Sequence, residues 1–289
     1  MTHHVILGAG PAGVIAAETI RKHAPKDQIT VIGDENEAPY SRMAIPYLLI
    51  GKVGEEGTHL RHTAGHFEKL GITVRRGVRA KVLDTAKRTV ELSDGNTIAF
   101  DKLLIATGSS PATPPIPGIN GPGVHSCWTL ADARAIANLA KPGAKVLQMG
   151  AGFIGCIIME ALQQRGVELS VVEMGDRMVP RMMGPTAGGM IKDWCETKGV
   201  KVYTGARVEA IERGTGAEKG LLGKIAEVVG IGQSSAPSGR MSVRLSTGER
   251  LEADLVISAT GVKPNIGFLE HSGVRCLVGV LTDEHLQTN

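Results

Sequence analysis

Aromatic side chains are scarce in this sequence, at 3% of its residues. Proteins that bind single-stranded nucleic acid stack its bases on aromatic side chains, so that function is not expected here. Basic residues are dispersed, with Arg75 and Arg76 the nearest approach to a cluster, and the formal net charge is only +3. We therefore expect neither nucleic acid nor a membrane surface as a partner.

Cysteines are few and widely separated, and no two of them form a CxxC pair. This spacing predicts neither a metal site nor a local redox disulfide, and it is typical of buried thiols in a reducing compartment. The sequence also lacks an apolar run of about 18 residues and the charged N-terminal region of a signal peptide. These absences predict a cytoplasmic protein. The four cysteines are Cys127, Cys156, Cys195 and Cys276.

Glycine, in contrast, is abundant, with 38 in 289 residues, and its placement reveals an internal repeat. Segment 5–13, VILGAGPAG, returns as 146–155, VLQMGAGFIG. Further along, GITVRRG at 71–77 matches GVKVYTG at 199–205, and an ATG element occurs in both copies. The chain therefore contains two copies of one unit, which at this length favours two domains.

Insertions distinguish the two copies. Copy one carries extra residues around 38–63. In copy two, Gly205 and Gly248 are 43 positions apart, whereas the matching Gly77 and Gly95 are 18 apart. The insertion in copy two covers roughly 214–239 and is rich in glycine, serine and alanine, so we interpret it as a surface excursion.

Each copy begins with a pattern that predicts strand, helix and strand, the unit of a parallel sheet. Alternating apolar residues later in each copy predict an antiparallel hairpin. We therefore predict an α/β fold with two Rossmann-like domains. The segments in question are 5–7, 12–23 and 29–32, then 145–149, 153–165 and 169–173, with hairpins at 89–100 and 242–253.

The GxGxxG fingerprint follows a predicted strand and opens a predicted helix in both copies, a context that makes it far more specific than a lone glycine triplet. In copy one, Gly8 and Gly10 would let the backbone approach a pyrophosphate at the helix N-terminus, and Gly13 would let helix and strand pack closely. The glycines of copy two take the same places. We therefore predict two dinucleotide sites.

An acidic residue follows each fingerprint where an adenine ribose would bind. In copy two, Glu173 lies 18 residues after Gly155. Its carboxylate would accept hydrogen bonds from ribose hydroxyls and repel a 2′-phosphate, which favours NAD(H), although Arg177 could soften that preference. In copy one the acid is Asp34 or Glu35, and the sequence does not choose between them.

On these motifs the sequence resembles the FAD-dependent pyridine nucleotide-disulfide oxidoreductases. It looks most like the branch with rubredoxin and ferredoxin reductases and the flavin part of NADH-dependent nitrite reductase. The resemblance covers almost the whole chain and includes Tyr40-Ser41-Arg42 and segment 259–265. It implies two three-layer (β-β-α) domains, with FAD on the first fingerprint and NAD(H) on the second. The implied NAD(H) domain, 115–254, is inserted into an FAD domain formed by 1–114 and 255–289, the latter part incomplete.

The resemblance also implies which residues contact the cofactors. Arg42 would approach the phosphates of FAD, a task suited to a planar charged donor, although an ordinary exposed arginine is the alternative. No catalytic residue and no metal ligand can be named. The complete candidate set is Gly8, Gly10, Pro11, Ala12, Gly13, Asp34, Glu35, Arg42, Ala106, Thr107, Gly108, Gly150, Gly152, Phe153, Ile154, Gly155, Glu173 and Gly261.

The sequence departs from the family pattern in three places. Met43 stands where thiol-using relatives carry a redox cysteine, so disulfide reductase activity is not expected. Tyr47 and Ile157 replace a lysine–glutamate pair of the electron-transferring relatives, and losing both leaves no buried charge unpaired. After Asn289 the family continues into a Gly-Asp element that binds the flavin cofactor and an interface domain that builds the dimer. We therefore expect weakened FAD retention and leave the oligomeric state open.

These features together predict an FAD-dependent NADH:acceptor oxidoreductase. Hydride would pass from NADH to FAD, and electrons would then pass to an iron-containing or other redox partner protein, or to a fused redox centre. The cofactors supply the hard chemistry, which suits a sequence with no obvious acid, base or nucleophile. Two alternatives stay open: an NADH oxidase that uses oxygen, and a truncated, non-catalytic protein that binds NAD(H).

Overall fold

The computed structural model describes residues 1–213 and 240–289. The insertion expected as a surface excursion, around 214–239, lies outside the described residues. The chain forms two compact units. The first consists of Met1–Ala44, Val53–Ser110 and Val262–Asn289, and the second of Ile45–Lys52 and Pro111–Gly261.

Strands and helices alternate at the start of each unit, runs of strands follow, and short 3-10 helices cover Arg42–Ala44, Glu56–Thr58 and Gly267–Leu269. In chain order the α-helices are α1 (Pro11–His23), α2 (Ile45–Leu49), α3 (His66–Lys69), α4 (Leu130–Leu139), α5 (Phe153–Gln164) and α6 (Pro185–Thr197). The strands are β1 (His3–Leu7), β2 (Gln28–Ile32), β3 (Ile72–Arg75), β4 (Ala80–Asp84), β5 (Thr89–Leu92), β6 (Thr97–Ala99), β7 (Lys102–Ile105), β8 (Ser109–Pro111), β9 (Val124–His125), β10 (Lys145–Met149), β11 (Glu168–Glu173), β12 (Lys201–Thr204), β13 (Val208–Arg213), β14 (Met241–Leu245), β15 (Arg250–Ala253), β16 (Leu255–Ser258) and β17 (Val262–Pro264).

The first unit has three layers. Its central sheet is parallel with the order β3-β2-β1-β7, and β4, β5 and β6 form an antiparallel sheet. Because side chains alternate along β1, Leu7 packs in one core with Val90 and Leu92 of the antiparallel sheet, whereas Ile6 packs on Ala17 of α1. The parallel sheet therefore lies between the antiparallel sheet and α1.

The second unit repeats this design. Its parallel sheet has the order β12-β11-β10-β16-β9, and β13, β14 and β15 are antiparallel. Leu147 and Met149 of β10 share a core with Val243 and Leu245 of the antiparallel sheet. The α/β class with two Rossmann-like β-β-α domains is therefore as predicted.

One expected boundary differs in the structure. Leu255 was expected to begin the second part of the FAD domain, but Leu255–Ser258 forms β16, which pairs in parallel with β10 of the second unit. The reason is the duplication itself, because β7 pairs with β1 in the same way in the first unit. The chain returns to the first unit only after Gly261, and the long segment of the second unit begins after Ser110 rather than after Pro114.

A short excursion also belongs to the second unit. Ile45–Lys52 was expected within the first domain, but it clusters with the second, and Ile45 and Leu49 of α2 are fully buried. Arg165, which follows α5, holds this segment by hydrogen bonds. Its guanidinium donates to the carbonyl oxygens of Leu49, of Ala137 at 2.7 Å and of Ala140 at 2.9 Å. One guanidinium group thus donates hydrogen bonds to carbonyl oxygens at the C-terminal ends of both α2 and α4, which the helices themselves leave without a donor.

Replacing Arg165 would leave those carbonyl oxygens without a donor. We expect Arg165→Ala to lower the free energy of unfolding by about 2–4 kcal/mol in urea denaturation, since hydrogen bonds to charged groups are the stronger kind. Arg165→Lys should recover only part, because an ammonium group lacks the planar fork. The exposed Arg181 provides the control, and Arg181→Ala should stay within about 0.5 kcal/mol of the original protein. Equal stability of the two alanine variants would contradict the capping role.

Candidate dinucleotide sites

Both fingerprints form the same turn between a parallel strand and a helix. Gly10 precedes α1 with φ −78° and ψ −175°, and Gly152 precedes α5 with φ −74° and ψ −176°. Val14 N donates to Gly10 O, and Cys156 N donates to Gly152 O, each at 3.0 Å. In each copy the first intrahelical bond thus starts at the second glycine of the fingerprint.

The glycines of the first fingerprint differ in what surrounds them. Gly8 has φ +119°, and a Cβ there would lie 2.0 Å from the carbonyl oxygen of Ala106. A Cβ on Gly13 would lie 1.9 Å from the carbonyl oxygen of Gly8. At Gly10, in contrast, no described atom lies within 4 Å of the Cβ position. The outer glycines therefore serve packing within the protein, and the middle glycine borders space that a ligand can fill.

The second fingerprint follows the same rule. Gly150 has φ +94°, and its Cβ would lie 2.5 Å from the carbonyl oxygen of Ala259. A Cβ on Gly155 would lie 2.6 Å from the carbonyl oxygen of Gly150, whereas that of Gly152 meets no described atom within 4 Å. Each turn thus opens a helix N-terminus, where the dipole and unpaired N–H groups favour a diphosphate.

The first two residues of each helix are accessible at these turns. Pro11 and Ala12 are exposed at the start of α1. Phe153 and Ile154, at the same positions of α5, are 58% and 39% exposed. All four expected contact residues therefore lie on the rim of a fingerprint turn.

The two ATG elements lie directly beside the fingerprints. Ala106 N donates to Leu7 O and Ala259 N to Met149 O, both at 2.8 Å, so each element continues the strand next to β1 or β10. The glycines that end the elements, Gly108 and Gly261, have φ of +62° and +118°. The two ATG elements thus occupy equivalent positions at the carboxyl edge of their sheets, as their matching positions in the two sequence copies predict.

The ATG threonine of copy one is also fixed by a later part of the first unit. Thr107 Oγ1 donates to the carbonyl oxygen of Asn265 at 2.8 Å, and Asn265 Nδ2 donates to the carbonyl oxygen of Thr107 at 2.9 Å. Ser110 Oγ donates to Asn265 Oδ1 at 2.7 Å. In the sequence Asn265 is only the last residue of segment 259–265, and its bridging role depends on the folded structure.

Glu173 ends β11 next to the second fingerprint. Its Oε2 accepts from Ala151 N at 2.7 Å and its Oε1 accepts from Gly175 N at 2.8 Å. These backbone donors fix the carboxylate beside the helix start, and its two oxygens retain lone pairs for ribose hydroxyls. The backbone donors at Ala151 and Gly175 could not be identified from the sequence, because any residue type supplies an N–H.

Arg177 is held by its own loop. Its Nη1 donates to Asp176 at 2.7 Å and its Nε donates to the carbonyl oxygen of Met183 at 2.8 Å. The partly exposed ion pair reduces the attraction that this guanidinium could offer to a 2′-phosphate. The preference for NAD(H) expected from Glu173 stays a prediction.

Copy one cannot place an acid at the position of Glu173. Gly8 N donates to Ile32 O at 2.7 Å, as Gly150 N donates to Val172 O at 2.8 Å, so the residue that matches Glu173 is Gly33. A Cβ on Gly33 would lie 2.8 Å from the Cβ of Ala9, which leaves no room for a side chain. The acid of copy one is therefore displaced along the chain.

The two candidate acids of copy one have different surroundings. Glu35 Oε2 accepts from Tyr40 Oη at 2.7 Å, and its Oε1 accepts from Arg42 Nη2 at 2.6 Å. Arg42 also lies over the Tyr40 ring, 5.8 Å from its centroid, as in a cation–π pair. Asp34 pairs with Arg79 at 3.1 Å, where both side chains are largely exposed. The structure thus brings Glu35, Tyr40 and Arg42 together and leaves Asp34 apart.

Three of the four thiols are poorly suited to nucleophilic chemistry. Burial raises the pKa of Cys127 to about 12 and that of Cys156 to about 11, and it also raises the pKa of Cys195. These groups stay protonated at neutral pH, and the thiol is a weak nucleophile. Within residues 1–213 and 240–289, no three His, Cys, Asp or Glu side chains are grouped to hold a metal ion. No helix in those ranges has the length and apolar character to span a membrane.

Known proteins resemble this chain along its whole length. A family described as "Pyridine nucleotide-disulphide oxidoreductase" matches residues 2–289. The chain is 32% identical to the NADH-dependent phenylglyoxylate dehydrogenase subunit epsilon of Aromatoleum evansii, over 99% of this chain and 62% of that protein. It is 31% identical to an NADH oxidase of Methanocaldococcus jannaschii, over 99% and 60%. The chain thus spans less than two thirds of the length of these relatives.

Solved structures agree with this relationship. The covalent putidaredoxin reductase–putidaredoxin complex superposes with a TM-score of 0.87 at 25% identity, covering 99% of this chain and 65% of that one. An NAD-dependent persulfide reductase from A. fulgidus has a TM-score of 0.85 at 30% identity, covering 99% and 51%. With its two fingerprint turns and this similarity over residues 2–289, the chain belongs to the pyridine nucleotide-disulphide oxidoreductase family.

Proposed function

We propose that this chain is the FAD- and NAD(H)-binding part of an NADH:acceptor oxidoreductase. The observation that carries the proposal is the duplicated turn, in which Gly10 and Gly152 each border open space at a helix start. When bound, the two cofactors supply hydride transfer and the release of electrons to an acceptor. The residues of the chain would bind and orient the cofactors.

In the first unit we propose Glu35, rather than Asp34, as the acid for the adenine ribose of FAD. Its carboxylate is oriented by Tyr40 and Arg42, whereas Asp34 pairs with Arg79 at the protein surface. A carboxylate held by two neighbours loses less freedom on binding, so it is the better prepared acceptor. Arg42 would serve twice, because it holds Glu35 and adds positive charge for the cofactor phosphates.

In the second unit we propose that Glu173 selects NADH. Its carboxylate is fixed by two backbone N–H groups at the fingerprint, so a 2′-phosphate would meet a negative charge that cannot easily move away. A like charge in this place is a repulsive element, which gives specificity without a separate attractive contact.

For the acceptor we propose a small iron-containing redox protein. Rhodocoxin reductase of Rhodococcus erythropolis, 28% identical, and the ferredoxin–NAD(+) reductase component of the biphenyl dioxygenase system of Paraburkholderia xenovorans, 28% identical, each name a redox partner protein, and these names support the proposal. Disulfides are poor candidates, because Met43, 65% exposed, replaces the thiol expected in thiol-using relatives. Oxygen is the second candidate, and the 31% identical NADH oxidase favours it.

A visible spectrum tests the proposal directly. The purified protein, reconstituted with FAD, should show a flavin band that bleaches on anaerobic addition of NADH. Addition of an oxidised ferredoxin should then restore the band faster than air does, and the reverse order would favour oxygen as the acceptor. A flavin band that ignores NADH, or a colourless protein that binds NADH without retaining FAD, would contradict the reductase function.

Two substitutions in the second fingerprint distinguish a glycine that leaves room for the cofactor from a glycine that is needed for packing. We expect Gly152→Ala to leave the melting temperature of the cofactor-free protein unchanged, because its backbone suits alanine and its Cβ position is open. The same methyl group would occupy the place of the diphosphate and weaken NADH binding at least about tenfold in a fluorescence titration. Gly155→Ala should instead lower the melting temperature, since its Cβ would lie 2.6 Å from a carbonyl oxygen. If both variants behaved alike, the turn would not be the NADH site.

Removal of the charge at Glu173 tests cofactor selection. Glu173→Gln should weaken NADH binding and reduce the preference for NADH over NADPH by about tenfold, because the repulsion of a 2′-phosphate disappears. Glu168→Gln, at the opposite end of the same strand and exposed, should leave both affinities unchanged. An unchanged NADH/NADPH ratio in Glu173→Gln would show that selection lies elsewhere.

A further inference from the structure

A buried glutamine lies directly beneath the second fingerprint. Gln148 is on β10, two residues before Gly150, and its side chain is fully buried. In copy one the same position holds Ile6, which packs on α1. A buried glutamine where the duplicate strand has an apolar residue calls for a physical reason, because burial of an amide is unfavourable unless the amide is hydrogen-bonded.

The amide nitrogen of Gln148 bridges the two ends of the turn. Nε2 donates to the carbonyl oxygen of Gly150 at 2.9 Å and to that of Gly155 at 3.0 Å. The first and third glycines of the fingerprint are thereby joined through one side chain. The orientation of the amide follows from these partners, because the opposite orientation would place Oε1 against two carbonyl oxygens.

This bridge has a cost in stability. The other amide atom, Oε1, is buried and has no hydrogen-bond partner among the described residues. A buried acceptor without a donor destabilises the folded state, so an apolar side chain would serve the strand better, as Ile6 does in copy one. Gln148 is therefore not explained by the stability of the fold.

The two turns differ in the way their ends are held. In copy one a Cβ on Gly13 would lie 1.9 Å from Gly8 O, whereas in copy two a Cβ on Gly155 would lie 2.6 Å from Gly150 O. The second turn is thus wider, and direct contact between its ends is weaker. In copy two the amide of Gln148 lies at the same approach, with Nε2 2.9 Å from the Cβ position of Gly155.

We propose that Gln148 is a positioning residue for NAD(H), an inference that rests on the proposed function of the second fingerprint. By joining Gly150 to Gly155 it holds the turn at one width before the cofactor binds. The N–H groups at the start of α5 then already face the diphosphate, and less ordering is required on binding. The residue does not touch the cofactor and acts through the backbone of the turn.

The test replaces the amide without changing the length of the side chain. Gln148→Met keeps an unbranched, similarly sized side chain and removes the donor. We expect about tenfold weaker NADH binding in a fluorescence titration of the FAD-reconstituted protein. The melting temperature should be equal or higher, because the unpaired Oε1 is removed, and the FAD content should not change. Leu147→Met, on the opposite face of the same strand, is the matched control and should leave NADH affinity unchanged.

The outcomes distinguish this role from its alternatives. Unchanged NADH affinity in Gln148→Met would overturn the positioning role and leave the proposed function intact. A fall in melting temperature that accompanies the loss of affinity would also overturn it, because Gln148 would then support the fold in general. Failure of the unaltered, FAD-reconstituted protein to bind NADH would instead overturn the proposed function on which this role rests.

Discussion

The close approach of the third fingerprint glycine to the carbonyl oxygen of the first is the contact on which both sites depend. At Gly13 and Gly155 there is no room for a Cβ, so the helix starts against the end of the strand. This contact directs the N–H groups of the first helical turn toward the space beside Gly10 and Gly152. The same backbone angles at these two glycines show that one constraint acts twice. Each dinucleotide site is thus a consequence of how a helix and a strand pack.

Around this shared element the two copies hold the acids that we propose for ribose binding in different ways. In the second unit the acid ends the strand and is held by backbone N–H groups at Ala151 and Gly175. In the first unit Ala9 excludes a side chain at Gly33, and the acid follows two residues later, where Tyr40 and Arg42 hold it. The displacement explains why the motif around Tyr40 belongs with the first fingerprint although it is distant in sequence.

The division of the chain into units follows side-chain burial more than chain order. Ile45 and Leu49 bury their side chains in the second unit, and Arg165 fixes the carbonyl end of their helix. Likewise β16 belongs to the second sheet, where it pairs in parallel with β10. In the first unit β7 pairs with β1 in the same way. A boundary drawn from motifs alone misses both, since neither pairing nor burial is local in sequence.

Glycine spacing and apolar periodicity were sufficient to predict two α/β units, their strand–helix–strand starts, the two fingerprint turns and the place of Glu173 at the end of its strand, because these signals are local and occur in both copies. The different surroundings of Asp34 and Glu35, the bridge made by Asn265 and the amide of Gln148 beneath its turn became visible only in the tertiary structure. Each of these depends on partners far away in sequence or on backbone atoms common to every residue type. Sequence patterns specify where backbone groups are exposed, whereas only the folded chain determines which side chains reach them.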